Sequence, residues 1–346
     1  MKLKHLLLAS LALSVLFTAC KSDTDTIEEQ GNGSSGSSLV NVEVNNAKYG
    51  EVTTTVTANG TVELYANPTA AGYFYNWTYT VNGRQVKSID NPLTLTNVKA
   101  PMTVSAKFIT INNVLFSDDF KQESTVPDPS KWVLCARGSS DWNNTCSGSY
   151  DQAYVKDGKL ILEGIYDEGE YKTGAVQWAP SIGFQYVRVE VVARLATSGQ
   201  GQWPAIWMMP RKALYSGWPA CGEIDIMEHL NTDTYYYTTL HSAWIDTAGN
   251  RNSPQYSQTV EFNQNDWNTY VVEWNDDALT FFLNGKKTFS YPNFHLDNED
   301  TARQWPFATT FYLILSQQLG GSWVGDINNL FLPATMEIDR VLVTKL

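Results

Sequence analysis

Residues 222–229 read Gly222-Glu223-Ile224-Asp225-Ile226-Met227-Glu228-His229, three carboxylates along an otherwise apolar run. On a β-strand, Glu223 and Asp225 share one face while Ile224 and Ile226 point to the other, because side chains alternate with period two. Glu228 breaks that alternation and should point inward with the isoleucines. A one-residue bulge at Ile226-Met227 would count those two as one and return Glu228 to the side of Asp225. The two glutamates would then lie roughly 13 Å apart along the backbone, at about 3.3 Å per residue. Leaning inward over the aspartate, their carboxyl groups would approach to roughly 5–6 Å, near the spacing of about 5–5.5 Å that double displacement at a glycosidic bond requires. The competing readings are a metal site and a solvated acidic edge strand. The run has neither the His/Cys pairing of a zinc site nor the alternating polar loop of a calcium site.

Aromatic residues surround the acidic run. Gln202-Trp203-Pro204-Ala205-Ile206-Trp207-Met208 lies upstream, and Trp218-Pro219-Ala220-Cys221 leads directly into it. Sugars present flat, weakly apolar faces, so a saccharide site wants aromatic platforms beside carboxylates and amides. Trp203, Trp207 and Trp218 are the nearest candidates. Each competes with a role in core packing, and Trp207, among Ile206, Met208 and Met209, is the most ambiguous.

These stretches resemble glycoside hydrolase family 16, the endo-acting retaining enzymes that include laminarinases and mixed-linkage β-glucanases. The resemblance covers residues 114–346 and rests on motifs in the family's order. Phe116-Ser-Asp-Asp-Phe120, Asp157-Gly-Lys-Leu-Ile-Leu162 and Tyr171-Lys-Thr-Gly-Ala175 precede the acidic run. Trp267-Asn-Thr-Tyr270, Phe282-Leu-Asn-Gly-Lys286, Leu319-Gly-Gly-Ser-Trp323 and Met336-Glu-Ile-Asp-Arg340 follow it. Carried over by position, the resemblance implies Glu223 as nucleophile, Glu228 as general acid/base and Asp225 as the residue orienting the nucleophile. It places His241 beside the acid/base. It implies an all-β jelly-roll sandwich, catalysis without a cofactor, and room for one structural calcium held by the Asp339 carboxylate and the Gly158 carbonyl.

The residues support the fold independently. Val187-Arg-Val-Glu-Val-Val192, Tyr235-Tyr-Tyr-Thr-Thr-Leu240 and Leu279-Thr-Phe-Phe-Leu283 are short β-branched or aromatic runs. Gly, Asn and Asp turns bound them. Asn284-Gly285 is a strong hairpin signal. Two stretches depart from the common laminarinase pattern. Ser316-Gln317-Gln318-Leu319 replaces apolar residues with amides, of which only one, taken as Gln318, can face the site. The loop after His241 adds Arg251 and Trp244, the latter expected with His241, Trp203 and Trp218 to line the cleft.

The N-terminus carries Lys2 and Lys4, an apolar run from Leu6 to Leu16, and small residues before Cys20. That order reads as a lipoprotein signal over residues 1–19, with Cys20 lipidated after cleavage. Residues 20–38, acidic and Gly/Ser-rich, read as a flexible tether. Residues 39–110 read as a small β module resembling an internalin-type B-repeat; its Tyr73, Phe74 and Trp77 are needed mostly for packing, which favours a spacer over a binding module. The leader resembles surface lipoproteins of Bacteroidota, so the expected location is the outer membrane, exposed at the cell surface and attached through the lipid.

A net charge of −12 argues against nucleic acid and anionic membrane surfaces as partners and makes a heavily sulfated polymer a poor match. The expected partner is a β-linked polysaccharide, and the chain is expected to work as a monomer. Cys135 and Cys146 flank a Gly/Ser/Asn-rich loop and suit a disulfide in an oxidising compartment. Three functions compete. The first is an endo-acting hydrolase of β-1,3- or mixed β-1,3/1,4-glucan. The second keeps the enzyme but gives it a galactose-containing glycan, such as galactan or mucin poly-N-acetyllactosamine. The third is a non-catalytic glycan-binding protein, disfavoured because such a protein has no need of a bulged acidic triad.

Overall fold

The computed structural model describes residues 39–56, 61–98, 100–297 and 303–346. The leader, the tether and Cys20 lie outside the described residues. Contacts divide the chain into two compact units between Val114 and Leu115. Strand accounts for 52% of the chain and helix for 4%, so the protein is all-β. Among the described residues no helix is long and apolar enough to cross a membrane.

The first unit pairs a four-stranded sheet (Val40–Val44, Met102–Thr110, Gly72–Val81, Arg84–Ser88) with a three-stranded one (Gly50–Val56, Val62–Pro68, Leu93–Leu95). Their alternating apolar positions supply one small core of Val62, Leu64, Trp77, Val104 and Phe108. Trp77 is wholly buried and donates its indole N–H to the Asp90 carbonyl at 2.7 Å. Phe74 packs on Trp77 at 5.1 Å and on Phe108 at 5.7 Å. Two of the three aromatics weighed as glycan platforms are therefore spent on packing, as a core this small demands.

The second unit is a sandwich of a nine-stranded and a seven-stranded sheet. The nine-stranded sheet centres on Ala334–Thr344, flanked by Lys159–Asp167 and Arg188–Leu195. The seven-stranded sheet runs Ser257–Glu261, Tyr235–His241, Glu223–Glu228, Gln202–Pro210, Phe311–Leu319, Ala175–Trp178, Trp132–Leu134. Its inward residues Ile206, Met208, Ile224, Leu313 and Leu315 join Val189, Val191, Val272, Phe281 and Ile338 of the other sheet in one core. Each such side chain contributes about 1.5–3 kcal/mol by leaving water. The hairpin signal is present: Asn284 and Gly285 both have positive φ, 52° and 85°, between the strands Ala278–Leu283 and Lys286–Pro292. The opening motif couples to the next segment through Asp118, whose buried carboxylate accepts the Trp132 indole N–H at 2.9 Å.

The acidic strand Glu223–Glu228 lies between two neighbours near the middle of its sheet, which removes the solvated edge strand as a reading. The bulge is present. Asp225 pairs with Thr239 but Glu228 with Tyr237, and on the other side Ile206 pairs with Met227 but Trp207 with Asp225. Three steps on the acidic strand thus match two on its partner. Ile226 and Met227 both enter the core, and Glu228 emerges on the outer face with Glu223 and Asp225. Gly222 starts the strand at φ 86°, and a Cβ there would stand 2.9 Å from Pro306 Cγ, so a larger residue could not open this strand without displacement.

Candidate active site

The outer face of the seven-stranded sheet carries the triad. Register sets Glu223 beside His241, Asp225 between Trp207 and Thr239, and Glu228 between Ala205 and Tyr237. Small residues at 205, 239 and 316 keep the floor low beneath the carboxylates, of which Asp225 and Glu228 are buried. Glu228 Oε1 accepts the Trp203 indole N–H at 3.1 Å, and Glu223 Oε2 accepts that of Trp218 at 2.9 Å. Each outer carboxylate is thereby aimed by its own tryptophan. The carboxyls of Glu223 and Asp225 are electrostatically coupled, Asp225 lowering Glu223 and Glu223 raising Asp225.

The electrostatics separate the three. Burial, then the charge of Glu223, pushes Glu228 up to about 7, against the opposing pull of His241 and the Trp203 N–H. Asp225 is driven well above the usual carboxylate range by burial and by both glutamates. Glu223 is also raised by burial, but His241, the Trp218 N–H and the Asp225 hydrogen bond all work to keep it ionised. Both glutamates are raised by burial, but only Glu223 also has Asp225 pulling it down, an asymmetry that suits a nucleophile beside a general acid. The protons belong to the coupled group rather than to separate residues.

Donor atoms of Glu223, Asp225 and His241 lie within 4.8 Å of one another. The number would suit a divalent ion, but two of these donors are carboxyls pushed towards the neutral form and the third is tied to Asp246. The cluster reads as acid–base machinery. The calcium expectation lies elsewhere. Lys121 lies along Gly158, its Cδ 3.0 Å from where a Cβ would stand, and its ammonium is 3.7 Å from Asp339 Oδ1. An ammonium on an exposed side chain thus stands beside the single carboxylate, and calcium at Gly158 and Asp339 stays an expectation of the resemblance.

The expected binding residues divide. Trp218 is 58% exposed and its ring tilts against His241 at 5.4 Å, at the open edge of the triad. Trp203 packs edge-on against Trp323 at 5.6 Å. Trp207 is a correction: it is on the correct face but only 6% exposed, covered by Trp142 at 4.8 Å and donating to Ser316 Oγ at 3.2 Å. Gln318 is a second correction. It shares the Trp203 side of the sheet, but it is buried and its amide is consumed by Thr145, Asn144 and the Leu319 carbonyl. Both lie under the loop between Cys135 and Cys146. Trp244 is pinned by a 2.9 Å bond from its indole N–H to the Ser253 carbonyl and packs on the main core. Cys135 and Cys146 are free thiols buried beside Trp207, not a disulfide. Cys221 is free and buried.

Sequence reasoning passed over Trp323, Trp142, Asp141 and Asp246. Trp323 is 45% exposed, touches Tyr237 at 5.1 Å, and extends the aromatic row beyond Trp203. It was visible in the Gly-Gly-Ser-Trp motif. Asp141 accepts from Ser322 N and Oγ at 2.7 and 2.6 Å, which fixes the loop carrying Trp323. That link joins residues far apart in the chain and left no local trace.

The two tryptophans should separate in experiment. Trp207→Ala should cost about 3–5 kcal/mol of stability, the usual loss for a buried aromatic. Trp218→Ala should leave the melting temperature almost unchanged while lowering glycan turnover. Thermal melts and rates on the same preparations would show it; equal destabilisation by both would contradict the assignment.

A two-sheet sandwich bearing a bulged Glu-x-Asp-x-x-Glu strand, with each outer carboxylate aimed by a tryptophan N–H, defines a glycoside hydrolase of the retaining type. Residues 143–339 match the model of the glycosyl hydrolases family 16, and the chain belongs to that family. Its members need no cofactor for catalysis. The chain is 35% identical to the keratan-sulfate endo-1,4-beta-galactosidase of Sphingobacterium multivorum over 67% of this chain and 55% of that protein. It is 33% identical to the beta-glucanase of Rhodothermus marinus over 66% of this chain and 84% of that one. It therefore spans little more than half the length of the first of these. A solved structure from the endo-acting O-glycanases that prominent members of the human gut microbiota express to initiate mucin breakdown is similar at TM-score 0.62 and 35% identity, covering 68% of this chain and 100% of that one. The laminarinase of Rhodothermus marinus is similar at 0.61 and 30%, covering 67% and 97%. These are jelly-roll sandwiches, the fold class expected from the sequence.

Proposed function

We propose that this protein is an endo-acting retaining hydrolase of a β-linked polysaccharide, with β-1,3- or mixed β-1,3/1,4-glucan as the substrate its motifs favour. The observation that carries the reading is the bulge that sets Glu223, Asp225 and Glu228 on one face. Glu223 attacks the anomeric carbon while Glu228 gives its proton to the departing oxygen, and Glu228 then takes a proton from the water that releases the sugar. Asp225, hydrogen-bonded to Glu223, holds the nucleophile in place and follows its change of charge. Exposed Trp218 and Trp323 support a site open at both sides, suited to binding within a chain.

A second reading has its own support. Both the keratan-sulfate endo-galactosidase and the mucin O-glycanase structure match at 35%, against 33% and 30% for the Rhodothermus proteins. The departures at Ser316–Leu319 and after His241 adjoin the site. On this reading the polymer is a galactose-containing glycan such as poly-N-acetyllactosamine. In either case the enzyme works as a monomer, displayed on the outer membrane through a lipid on Cys20, with the first unit as a spacer; the leader and its cysteine support that placement.

Product analysis on laminarin, lichenan, galactan and mucin glycans tests both readings. The cleaved polymer should yield a ladder of oligosaccharides from the first minutes, with an early fall in viscosity. Monosaccharide release at constant viscosity would contradict the endo mode, and a ladder from galactose-containing glycan alone would select the second polymer.

A further inference from the structure

Behind the triad stands a residue that the retaining mechanism does not call for. Asp246 sits in a single π-helical turn, Ala243–Thr247, capped by Ser242, whose Oγ accepts from Ile245 N at 3.3 Å. Ile245 is wholly buried and anchors the turn in the core. π-Turns of this kind are frequent at functional sites. Asp246 Oδ2 receives the Ser242 backbone N–H and His241 Nδ1, each at 3.2 Å. With Nδ1 so occupied, His241 Nε2 faces Asp225 Oδ2 at 3.5 Å. Asp246, His241, Asp225 and Glu223 thus form a continuous file of polar groups running from the turn to the nucleophile.

We infer that Asp246 is a positioning residue of the reaction, holding His241 by Nδ1 so that an imidazolium stands against the acidic strand throughout the double displacement. The inference rests on the retaining hydrolase reading above.

The titratable groups around His241 are Glu223, Asp225 and Glu228 from the acidic strand and Asp246 from the turn. Trp218 covers it from the preceding loop. Tyr291 faces Ser242 and Asp246 from the other sheet, and burial pushes its phenol up to about 12, so it stays neutral. Burial pulls the imidazole towards its neutral form, but the Asp246 hydrogen bond and the charges of Glu223, Asp246 and Glu228 outweigh it, and the net displacement is upward. The imidazolium in turn lowers both Glu223 and Glu228. In the first step the bond from Glu223 to the anomeric carbon forms as the glycosidic bond breaks, and the Glu228 proton goes to the leaving oxygen. One glutamate loses its negative charge as the other gains it. A fixed cation against Asp225 therefore balances the strand in both states without moving.

Asp246→Asn tests this cleanly, because the amide oxygen can still accept both N–H groups while the charge is gone. Nitrogen-detected NMR titration of the full chain should show the His241 pKa falling by about one unit or more. Glu228, no longer beside a cation near neutral pH, should hold its proton more tightly. The basic limb of the kcat/KM profile should then move to higher pH, while KM stays within about twofold. Asp246→Glu, which keeps the charge, should move both values back towards the wild type. A His241 titration that Asp246→Asn leaves in place would overturn the inference. So would a displaced His241 titration with an unmoved basic limb. A damaged fold would reduce the amplitude of the profile without shifting its limb. Should the wild-type protein cleave no glycan at all, the hydrolase reading fails, and the NMR titration still reports on the ion pair.

Discussion

Glu223→Gln should reduce turnover at least a thousandfold, a loss of about 4 kcal/mol of transition-state stabilisation, while leaving the fold in place. Without the carboxylate no glycosyl-enzyme intermediate can form, and an amide oxygen is too weak a nucleophile to replace it. The swap is close to isosteric, and the local hydrogen bonds survive it. The glutamine oxygen can accept the Trp218 N–H as Oε2 does now, at 2.9 Å. Its amino group can donate to the neighbouring Asp225 carboxyl. Removing one of three crowded carboxylates also relieves repulsion, so the melting temperature should hold or rise. The variant should still bind oligosaccharide, and isothermal titration alongside a rate assay would show the split. Activity above a few per cent of the wild type would mean that another group is the nucleophile.

The second large effect belongs to Glu228→Ala, and it depends on the leaving group. On the polymer the loss should be about a hundred- to ten-thousandfold, the usual range for a missing general acid. On an aryl glycoside whose phenolate departs unaided, the first step should be nearly normal and only the second slowed. Azide, which needs no base, should fit the space left by the side chain and restore turnover, giving a glycosyl azide of retained configuration. An inverted azide would remove Glu223 as nucleophile. The pH profile supplies a further readout. Glu228 is held at about 7 in the native protein, and its protonated form is the active one, so kcat/KM should fall as pH rises through that value. That limb should vanish in Glu228→Ala with the aryl substrate.

How much of this was readable beforehand varies with the distance over which each feature is decided. The triad could be read from eight consecutive residues. Ile226 and Met227 are both strongly apolar, and burying both forces the extra residue that brings Glu228 round. The hairpin at Asn284-Gly285 was readable for a similar reason, because positive φ at two adjacent residues is a local cost that few residue types accept. Trp218 stood five residues before the acid it bonds, and Trp203 on the strand just upstream.

What the sequence left open was exposure. Period two told which face Trp207 and Gln318 occupy, and that was correct, but it carries no information on what lies above the face. The loop from Ala136 to Thr145 closes over both, through Trp142 on Trp207 and Asn144 and Thr145 on Gln318. Contacts between residues some 65 to 174 positions apart leave no local pattern to read. The same holds for Lys121 beside Asp339 and for Asp141 fixing the Trp323 loop. Asp246 lies only five residues from His241, but a π-helical turn is needed to bring the two side chains together, and neither propensity nor spacing announces one. The sequence by itself determined the sheet sandwich, the acidic strand and its bulge, because local burial and backbone preference decide those. Only the tertiary structure decided which aromatic and amide side chains remain free to meet a sugar, because that depends on segments packed from elsewhere in the chain.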